Sequence, residues 1–404
     1  MNITNTWLYS HPFTLLGCIM KVACVSRHDH SDISKFSGSL YYQAKCLADS
    51  GLQLDYISNF SSAWELAFDA KTVLYRKILR KSYARHYQPM VLRSYARQIL
   101  SSLNQIESDV IFIPGGGQLG ATIVSYLQTD IPMVFWHDST FAGVANFYHQ
   151  LSNLSASDMR RCHEVEQRAL TNCRLALYCS DWAARTAIYN YDVDPHKVKV
   201  VPFGANIECD RTIKDIDPII TDRDHNICKL LFVGVDWVRK GGDIALAVAT
   251  ELNARGYRTE LHVVGCTPPE PTPDFVKLYG FVSKKSHAGR MLLNQLFAQS
   301  HFFILPTLAD CFGVVFAEAS SFGLPSLASQ VGGVPTAVTD DQNGRTFPFD
   351  NMVPNMANYI SSLMSDYIAY TNLCMRSFEE YESRLNWTVA GARVNQLLHE
   401  FCTV

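Results

Sequence analysis

The feature that most constrains this fold is an alternation of strand-like and helix-like segments that runs through the chain twice. Short apolar runs rich in β-branched residues alternate with helical segments from Lys21 to about residue 203, and the alternation restarts at Lys229. This pattern is typical of parallel sheets covered by helices on both faces. A chain of 404 residues is long enough for two such domains. We therefore predict an α/β protein with two Rossmann-like, doubly wound domains that face each other across a cleft.

The domain boundaries are predicted from a polar, acidic stretch at residues 207–226, which is typical of a linker. We assign residues 20–205 to the first domain and residues 206–385 to the second. Residues 386–404 contain an amphipathic helix with no strand after it, so this helix must pack on elements that are already formed. Residues 1–19 lack the basic segment of a signal peptide, and we interpret them as a frayed or extra leader.

The composition argues against several classes of protein. A net charge of −3 gives no reason to expect a nucleic-acid partner. No apolar run reaches the roughly 18 residues of a membrane-spanning helix. The twelve cysteines contain no C-x-x-C pair and several lie inside predicted strands, which favours buried free thiols in a reducing cytosol over disulfides or a zinc site. We expect a cytoplasmic protein with no metal site.

One stretch of the first domain is unusually basic. Residues 71–106 contain no acidic residue, and their cations are Lys71, Arg76, Lys77, Arg80, Lys81, Arg85, Arg93 and Arg97. Two interpretations stay open. The first, which we favour, is a solvated helix face, and the second is contact of residues 71–97 with an anionic acceptor or the inner face of a membrane. An apolar stripe at helical spacing, compatible with the core or a membrane, consists of Val73, Leu74, Ile78, Leu79 and Tyr83.

The strongest signal for chemistry follows the predicted strand at residues 301–306. A loop there carries Asp310, a helix begins near Gly313, and Glu318 lies about one turn into that helix. Doubly wound sheets bind ligands at strand ends, and the free N–H groups of a helix start favour anionic or hydroxyl-rich ligands. We predict that both carboxylates face one cleft. The alternative is that Asp310 only caps the helix and Glu318 is exposed.

A second loop with the same placement carries Arg239 and Lys240 beside Gly241 and Gly242. Arginine grips phosphate oxygens with a fork of N–H groups, and lysine adds a point charge. This loop therefore predicts a diphosphate clamp. The clamp and the hydroxyl-binding carboxylates together describe a site for a nucleotide sugar, which would be a substrate, so we expect no cofactor.

The frame D-C-F-G-V-V-F-A-E-A at residues 310–319 and the R-K-G loop at residues 239–241 resemble the retaining glycosyltransferases of family four, which have the GT-B fold. The resemblance continues through V-G-G-V-P at 331–335 and H-K-V-K-V-V-P-F-G-A-N at 196–206, and it covers most of residues 20–400. It implies that the last helix crosses back to the first domain. In the family the first position of the frame is Glu, so Asp310 is one methylene shorter than usual.

The resemblance also implies how the donor is bound. Arg239 and Lys240 bind the diphosphate, Glu318 binds the ribose hydroxyls, and Asp310 contacts the transferred sugar. The backbone around three further residues touches the sugar and phosphate; these are Phe312, Gly313 and Val314. In the first domain, Gly38 lets its loop approach the diphosphate, although the family's Gly-Gly is Ser37-Gly38 here.

The catalytic residues that the resemblance implies are His137, Arg239, Lys240 and Asp310. His137 ends a predicted strand and is placed like a family histidine that faces the sugar. Cationic side chains and helix-start amides stabilise the leaving diphosphate without a metal. The implied transfer is retaining and proceeds on one face of the sugar, with Asp310 as a positioning group. The partners implied are a nucleotide-sugar donor and a sugar, lipid or small-molecule acceptor.

Three alternatives stay open. A GT-B epimerase would bind the same donor without making a glycoside, and a degenerate relative, suggested only by the shortened Asp310, would bind it without catalysis. A dinucleotide oxidoreductase would rest on G-G-G-Q-L-G at residues 115–120, with Asp138 about 20 residues further on. That loop does not sit at the first βα turn, so we favour a tight turn or a loop on the acceptor side of the cleft.

Overall fold

The computed structural model describes residues 19–115, 120–148, 151–269 and 271–402. In these ranges the chain forms two six-stranded sheets in which neighbouring strands are parallel. The first sheet contains β1 (Lys21–Val25), β2 (Gln53–Ile57), β3 (Val110–Pro114), β4 (Met133–His137), β5 (Leu175–Tyr178) and β6 (Val198–Val200). The second contains β7 (Cys228–Val233), β8 (Thr259–Val264), β9 (Val276–Leu278), β10 (Phe302–Leu305), β11 (Ser326–Ser329) and β12 (Gly344–Phe347). Their orders are β2-β1-β3-β4-β5-β6 and β12-β11-β10-β7-β8-β9, which confirms the predicted α/β class.

Helices follow most strands in both halves. Those of the first half are α1 (Ser39–Asp49), α2 (Trp64–Leu74), α3 (Pro89–Leu103), α4 (Gly120–Val124), α5 (Phe141–Val144), α6 (Ala156–Asn172) and α7 (Asp181–Asn190). Those of the second half are α8 (Ile213–Thr221), α9 (Gly242–Ala254), α10 (His287–Gln299), α11 (Val314–Ser320), α12 (Val334–Ala337), α13 (Met352–Ser365), α14 (Tyr367–Arg384) and α15 (Trp387–Cys402). A π-helical turn, Tyr75–Leu79, continues α2.

Alternate residues of each central strand pack on opposite faces of the sheet. In β1, Val22 belongs to a core that includes Leu47 of α1, whereas Ala23 belongs to a second core with Ile99 of α3. β3 is buried along its whole length because helices cover both of its faces. The carboxyl ends of the strands are thereby left to carry the loops of the site.

The last helix, α15, crosses from the second half to pack on α1 of the first, as the resemblance implies. Gly391 makes this close approach possible, since a Cβ there would lie 2.4 Å from the carbonyl oxygen of Cys46. Asn395 Nδ2 donates a hydrogen bond to the carbonyl of Ser50 over 2.7 Å. The two halves are therefore joined by α15 as well as by the segment near residue 206.

The joining segment is more ordered than the predicted linker. Residues 207–226 contain α8, whose Ile216 and Ile220 are fully buried. Arg223, directly after α8, is also buried and donates hydrogen bonds to the carbonyls of Phe322 and Gly323. The segment still joins the two halves, but part of it is an amphipathic helix whose acidic residues lie on the exposed face.

The basic stretch of the first half carries an exposed apolar surface. Neither α2 nor the following π-helical turn contains a buried residue. Of the predicted apolar stripe, only Tyr83 enters the core, while Val73, Leu74, Ile78 and Leu79 are exposed. The core interpretation of the stripe was therefore wrong for all of its members except Tyr83.

Several predictions fall partly or wholly outside the described residues. The predicted leader lies outside the described residues except for Ile19, and residues 116–119 of the predicted glycine loop also lie outside them. The described cysteines are all free thiols, most of them buried. Within the described ranges, no helix combines the length and apolar character needed to cross a membrane.

Candidate functional site

A cleft of about 840 Å³ lies between the two halves, where the loops after several strands of both sheets meet. The sequence-predicted residues that line it are His137, Arg239, Lys240, Asp310, Phe312, Gly313, Val314 and Glu318. Gly38 is buried between Ser37 and Ser39, both of which line the cleft. The fold thus brings together residues from four segments that are far apart in sequence.

Between β7 and α9 the chain makes a tight loop that requires glycine. Gly241 has a φ of +77°, and a Cβ there would lie 1.9 Å from the carbonyl oxygen of Pro306. A Cβ on Gly242 would lie 2.2 Å from the ring of Trp237. Because the loop presses so closely on the end of β10, Lys240 lies beside the loop that follows that strand.

Lys240 forms an ion pair with Asp310 across these two loops. Its Nζ lies 2.5 Å from Asp310 Oδ2, and only 13% and 12% of the two side chains are exposed. Gly313 is the N-terminal cap of α11, so the alternative in which Asp310 caps this helix is wrong. The short Asp side chain at this position reaches Lys240 and neutralises its charge.

Arg239 is held against the same loop by its guanidinium. Nη1 donates a hydrogen bond to the carbonyl of Ala309 over 3.0 Å, and Nε lies 3.5 Å from Asp236 Oδ2. The guanidinium carbon lies 5.7 Å from the centre of the Tyr148 ring, which belongs to the first half. Arg239 and Lys240 are therefore adjacent cations on one wall of the cleft.

Glu318 is buried at the second-half wall, which excludes the alternative in which it is exposed. Lys284 Nζ is paired with its Oε1, whereas its Oε2 has no hydrogen-bond partner. The next residue, Lys285, lies 3.2 Å from Asp32 Oδ1 on the opposite wall. A buried carboxylate with one unused oxygen is suited to accept hydrogen bonds from ligand hydroxyls.

His137 ends β4 with its side chain buried at the floor of the cleft. Its Nε2 has no hydrogen-bond partner, and a Cβ on Gly115 would lie 2.3 Å from that nitrogen. Burial lowers the pKa of His137 to about 3, so the imidazole is neutral at ordinary pH. A neutral, buried imidazole with a free nitrogen is suited to a hydrogen bond with an uncharged ligand group.

The first-half loop before α1 adopts an unusual backbone. Gly38 has a φ of +98°, and Phe36 and Ser37 also have positive φ values of 49° and 58°. Asn206 holds this loop, because its Nδ2 donates 3.0 Å hydrogen bonds to the Ser37 carbonyl and to Ser39 Oγ. The left-handed conformation at Ser37 is one that glycine adopts with less strain than serine.

Two notable cleft residues that were not predicted from the sequence are Lys284 and Glu166. Lys284 follows the short edge strand β9, which was not predicted because its three residues are largely exposed. The pair Lys284-Lys285 after an apolar run was the signal that could have found this strand end. Glu166 lies in the middle of α6, and its sequence gave no signal, since an acidic residue in an amphipathic helix is ordinarily exposed.

On the second-half wall of the cleft, cations and carboxylates neutralise each other in pairs. A ligand with both an anionic and a hydroxyl-rich part can exchange both pairs for its own groups. No cluster of three or more His, Cys, Asp or Glu side chains in the described ranges is placed to hold a metal ion.

Two family profiles match the chain. The profile described as "Glycosyl transferases group 1" matches residues 228–366, and the one described as "Glycosyltransferase Family 4" matches residues 38–208. Together these two ranges cover more than half of the chain and include every candidate site residue.

Curated relatives and solved structures point the same way. The D-inositol 3-phosphate glycosyltransferase of Corynebacterium diphtheriae is 26% identical over 285 residues, which are 66% of this chain and 65% of that relative. The alignment thus spans slightly less than two thirds of the relative's length. Sucrose-phosphate synthase from Thermosynechococcus elongatus has a TM-score of 0.63 at 16% identity, and covers 94% of this chain and 98% of its own. Anabaena HepE in complex with UDP and glucose has a TM-score of 0.60 at 14% identity, with coverages of 94% and 99%, so the same two-domain fold is present.

Proposed function

The chain belongs to the family-four, group 1 glycosyltransferases and has their GT-B fold, and from that premise we propose that it transfers a sugar from a nucleoside diphosphate sugar to an acceptor hydroxyl. The transfer retains the configuration of the anomeric carbon. The donor occupies the second-half wall of the cleft, and the acceptor occupies the first-half wall. The nucleotide sugar is a substrate, and the cations that hold it belong to the protein.

The proposal rests on two ion pairs on the second-half wall of the cleft. Lys240 is neutralised by Asp310, and Lys284 by Glu318. A nucleoside diphosphate sugar brings a diphosphate for the cations and hydroxyls for the carboxylates, so one ligand replaces both internal pairs. Arg239 lies beside Lys240 and adds a forked donor for the phosphate oxygens.

The same cations support the bond-breaking step. Negative charge builds up on the diphosphate as its bond to the anomeric carbon breaks, and Arg239 and Lys240 stabilise that charge. The acceptor oxygen forms its bond to the same carbon on the same face. Its proton passes to the leaving diphosphate, so the step needs no protein nucleophile.

Asp310 and His137 act as positioning groups for the transferred sugar. When the donor diphosphate binds Lys240, the ion pair with Asp310 is released, and the Asp310 carboxylate accepts a hydrogen bond from a sugar hydroxyl. His137 is neutral and buried, and its unpaired Nε2 hydrogen-bonds the sugar on the side that faces the first half. The backbone amides around Phe312, Gly313 and Val314 lie on the same wall and contact the sugar and phosphate.

The direct test is a panel of UDP-, GDP- and ADP-sugars, with release of nucleoside diphosphate as the readout. We expect slow release from the preferred donor and acceleration by an acceptor. D-inositol 3-phosphate, named for the relative from Corynebacterium diphtheriae, belongs in the acceptor panel. Proton NMR of the product anomer tests retention, and an inverted product, or no turnover of any donor with any acceptor, would overturn the proposal.

We further propose that the exposed surface formed by α2 and the π-helical turn contacts an anionic membrane surface. Leu66 is 79% exposed and Ile78 is 69% exposed, and neither is covered by another element. Exposed cations accompany them; these are Arg76, Lys77, Arg80 and Lys81. Apolar side chains next to lysines and arginines are the features that hold a helix at a lipid interface.

Vesicle flotation tests this contact. The protein is expected to float with phosphatidylglycerol vesicles and to stay behind with phosphatidylcholine vesicles, and Ile78→Asp should weaken the flotation. Ile368→Asp is the matched control, because Ile368 is 75% exposed on α14 of the other half. Equal flotation of both variants, or none of the wild type, would contradict the membrane contact.

A further inference from the structure

The first-half wall of the cleft differs in chemistry from the donor wall. Aromatic and apolar side chains make up about half of its lining, and the described lysines and arginines that line the cleft all belong to the second half. The first-half wall includes Tyr87, Thr140, Phe141, Val144, Leu151 and Glu166. Between residues 115 and 151, the residues outside the described ranges include no lysine or arginine.

Glu166 is a buried acidic residue of this wall. It lies on α6 and is 3% exposed. Its carboxyl accepts a hydrogen bond from the backbone of Phe141, but Oε1 has no partner. A buried polar atom without a partner is costly, and one at the wall of a cleft is suited to a ligand group.

The surroundings of Glu166 determine what kind of group it can bind. Three buried tyrosines lie near its carboxyl group, and electrostatic repulsion from Glu166 contributes to the raised pKa of each; these are Tyr87, Tyr178 and Tyr191. Burial without a cation raises the pKa of Glu166 itself to about 8. The carboxyl is therefore mainly protonated at neutral pH, and it can both donate and accept a hydrogen bond.

We propose that this wall is the acceptor subsite, that the acceptor is an uncharged hydroxyl compound with an apolar group, and that Glu166 determines this specificity by hydrogen-bonding an acceptor hydroxyl. The inference rests on the transferase function proposed above. A phosphorylated acceptor would have to place its anion beside Glu166, where the described first-half lining includes no lysine or arginine. An apolar group instead gains contact with Phe141, Val144 and Leu151.

The test compares two glucose derivatives as probes, with UDP, GDP or ADP present at saturation according to the donor preference. Octyl β-glucoside, below its micellar concentration, is uncharged and apolar, and glucose 6-phosphate is anionic. Calorimetry should show binding of octyl β-glucoside and none of glucose 6-phosphate. Tighter binding of the phosphate, or binding of neither probe, overturns the inference.

Variants of Glu166 assign the specificity to this side chain. Glu166→Met should weaken octyl β-glucoside binding at least about tenfold, while Glu166→Gln, which keeps the hydrogen-bonding groups, should retain most of it. Glu164→Met is the matched control, since Glu164 is exposed on the same helix. Unchanged affinity in a folded Glu166→Met variant contradicts the role of Glu166.

The transferase function and the acceptor subsite can be disproved separately. Nucleoside diphosphate binding depends on the opposite wall and should be the same in Glu166→Met and the wild type. If no nucleoside diphosphate binds the wild type, the proposed transferase function fails. If a nucleoside diphosphate binds and octyl β-glucoside does not, only the acceptor subsite fails.

Discussion

The two walls of the cleft are built from different kinds of groups. The second-half wall holds cations, each close to a carboxylate, as in the pairs Lys240–Asp310 and Lys284–Glu318. The first-half wall holds aromatic and apolar side chains around buried groups that are mainly neutral at neutral pH, such as Glu166. Paired charges are suited to a ligand that brings its own charges, whereas neutral buried groups are suited to an uncharged one. We infer from this difference that donor and acceptor are recognised by different kinds of interaction as well as by different walls of the cleft.

The largest effect is expected from Gly241→Ala, which forces the donor loop away from β10. A Cβ there meets the Pro306 carbonyl oxygen at 1.9 Å, and φ is +77°. Strain and overpacking together should cost about 2–5 kcal/mol of unfolding free energy and abolish nucleotide binding. Gly256→Ala is the control: its φ is +89° but nothing lies within 4 Å, so only about 1–2 kcal/mol is expected. Equal losses in urea unfolding would show that the close approach to Pro306 is unimportant.

The next largest effect is expected from Lys240→Ala. Loss of one partner from a buried charge pair costs about 2–5 kcal/mol, so the donor Kd should rise about 30-fold or more. Calorimetry with the preferred nucleoside diphosphate measures this change. Lys214→Ala is the control, because Lys214 is exposed on α8 and does not line the cleft. A donor Kd within about threefold of the wild type would remove Lys240 from the clamp.

A smaller effect, of opposite sign, is expected at the acceptor wall. Glu166→Met should raise the unfolding free energy by about 1–3 kcal/mol, since it removes a buried polar atom without a partner. The pKa of Glu166 is raised to about 8 in the folded protein, so above the unfolded-state pKa the folded state keeps a proton that the unfolded state has lost, and the wild-type unfolding free energy falls as pH rises toward 8. The gain from Glu166→Met should therefore be larger at pH 8 than at pH 5. A gain that shrinks with rising pH in thermal unfolding would contradict this assignment.

The smallest effect concerns His137. Burial lowers its pKa to about 3, so its neutral form persists through the range in which an ordinary histidine titrates. The donor kcat/KM should show no His137 step between pH 5.5 and 7.5. A step near pH 6.5 in the wild type that disappears in His137→Gln would show that His137 is charged during the reaction.

The fold was predictable because its signal is repeated and local. Apolar strand runs such as Val110–Pro114 recur in both halves, and the structure confirms two parallel sheets. Segments with weak or mixed signals were missed. β9 has only three residues, which are largely exposed. The apolar residues of α8 are interspersed with acidic ones, so its signal is mixed.

The donor wall was easier to predict than the acceptor wall for a related reason. Arg239 and Lys240 are neighbours in sequence, and Asp310 and Glu318 share one loop and helix, so short motifs contain the chemistry. The acceptor wall is assembled from single residues of several elements, and Glu166 gains its properties only through burial. A sequence pattern does not contain that information, because it comes from tertiary packing.

The measurement that most directly tests the division of the cleft is hydrogen–deuterium exchange with and without the preferred nucleoside diphosphate. We expect slower exchange in residues 234–242 and 306–318 of the second half, with exchange in residues 140–148 of the first half unchanged. Protection confined to the first half, or none in the second-half loops, would contradict the assignment of the donor to the second-half wall.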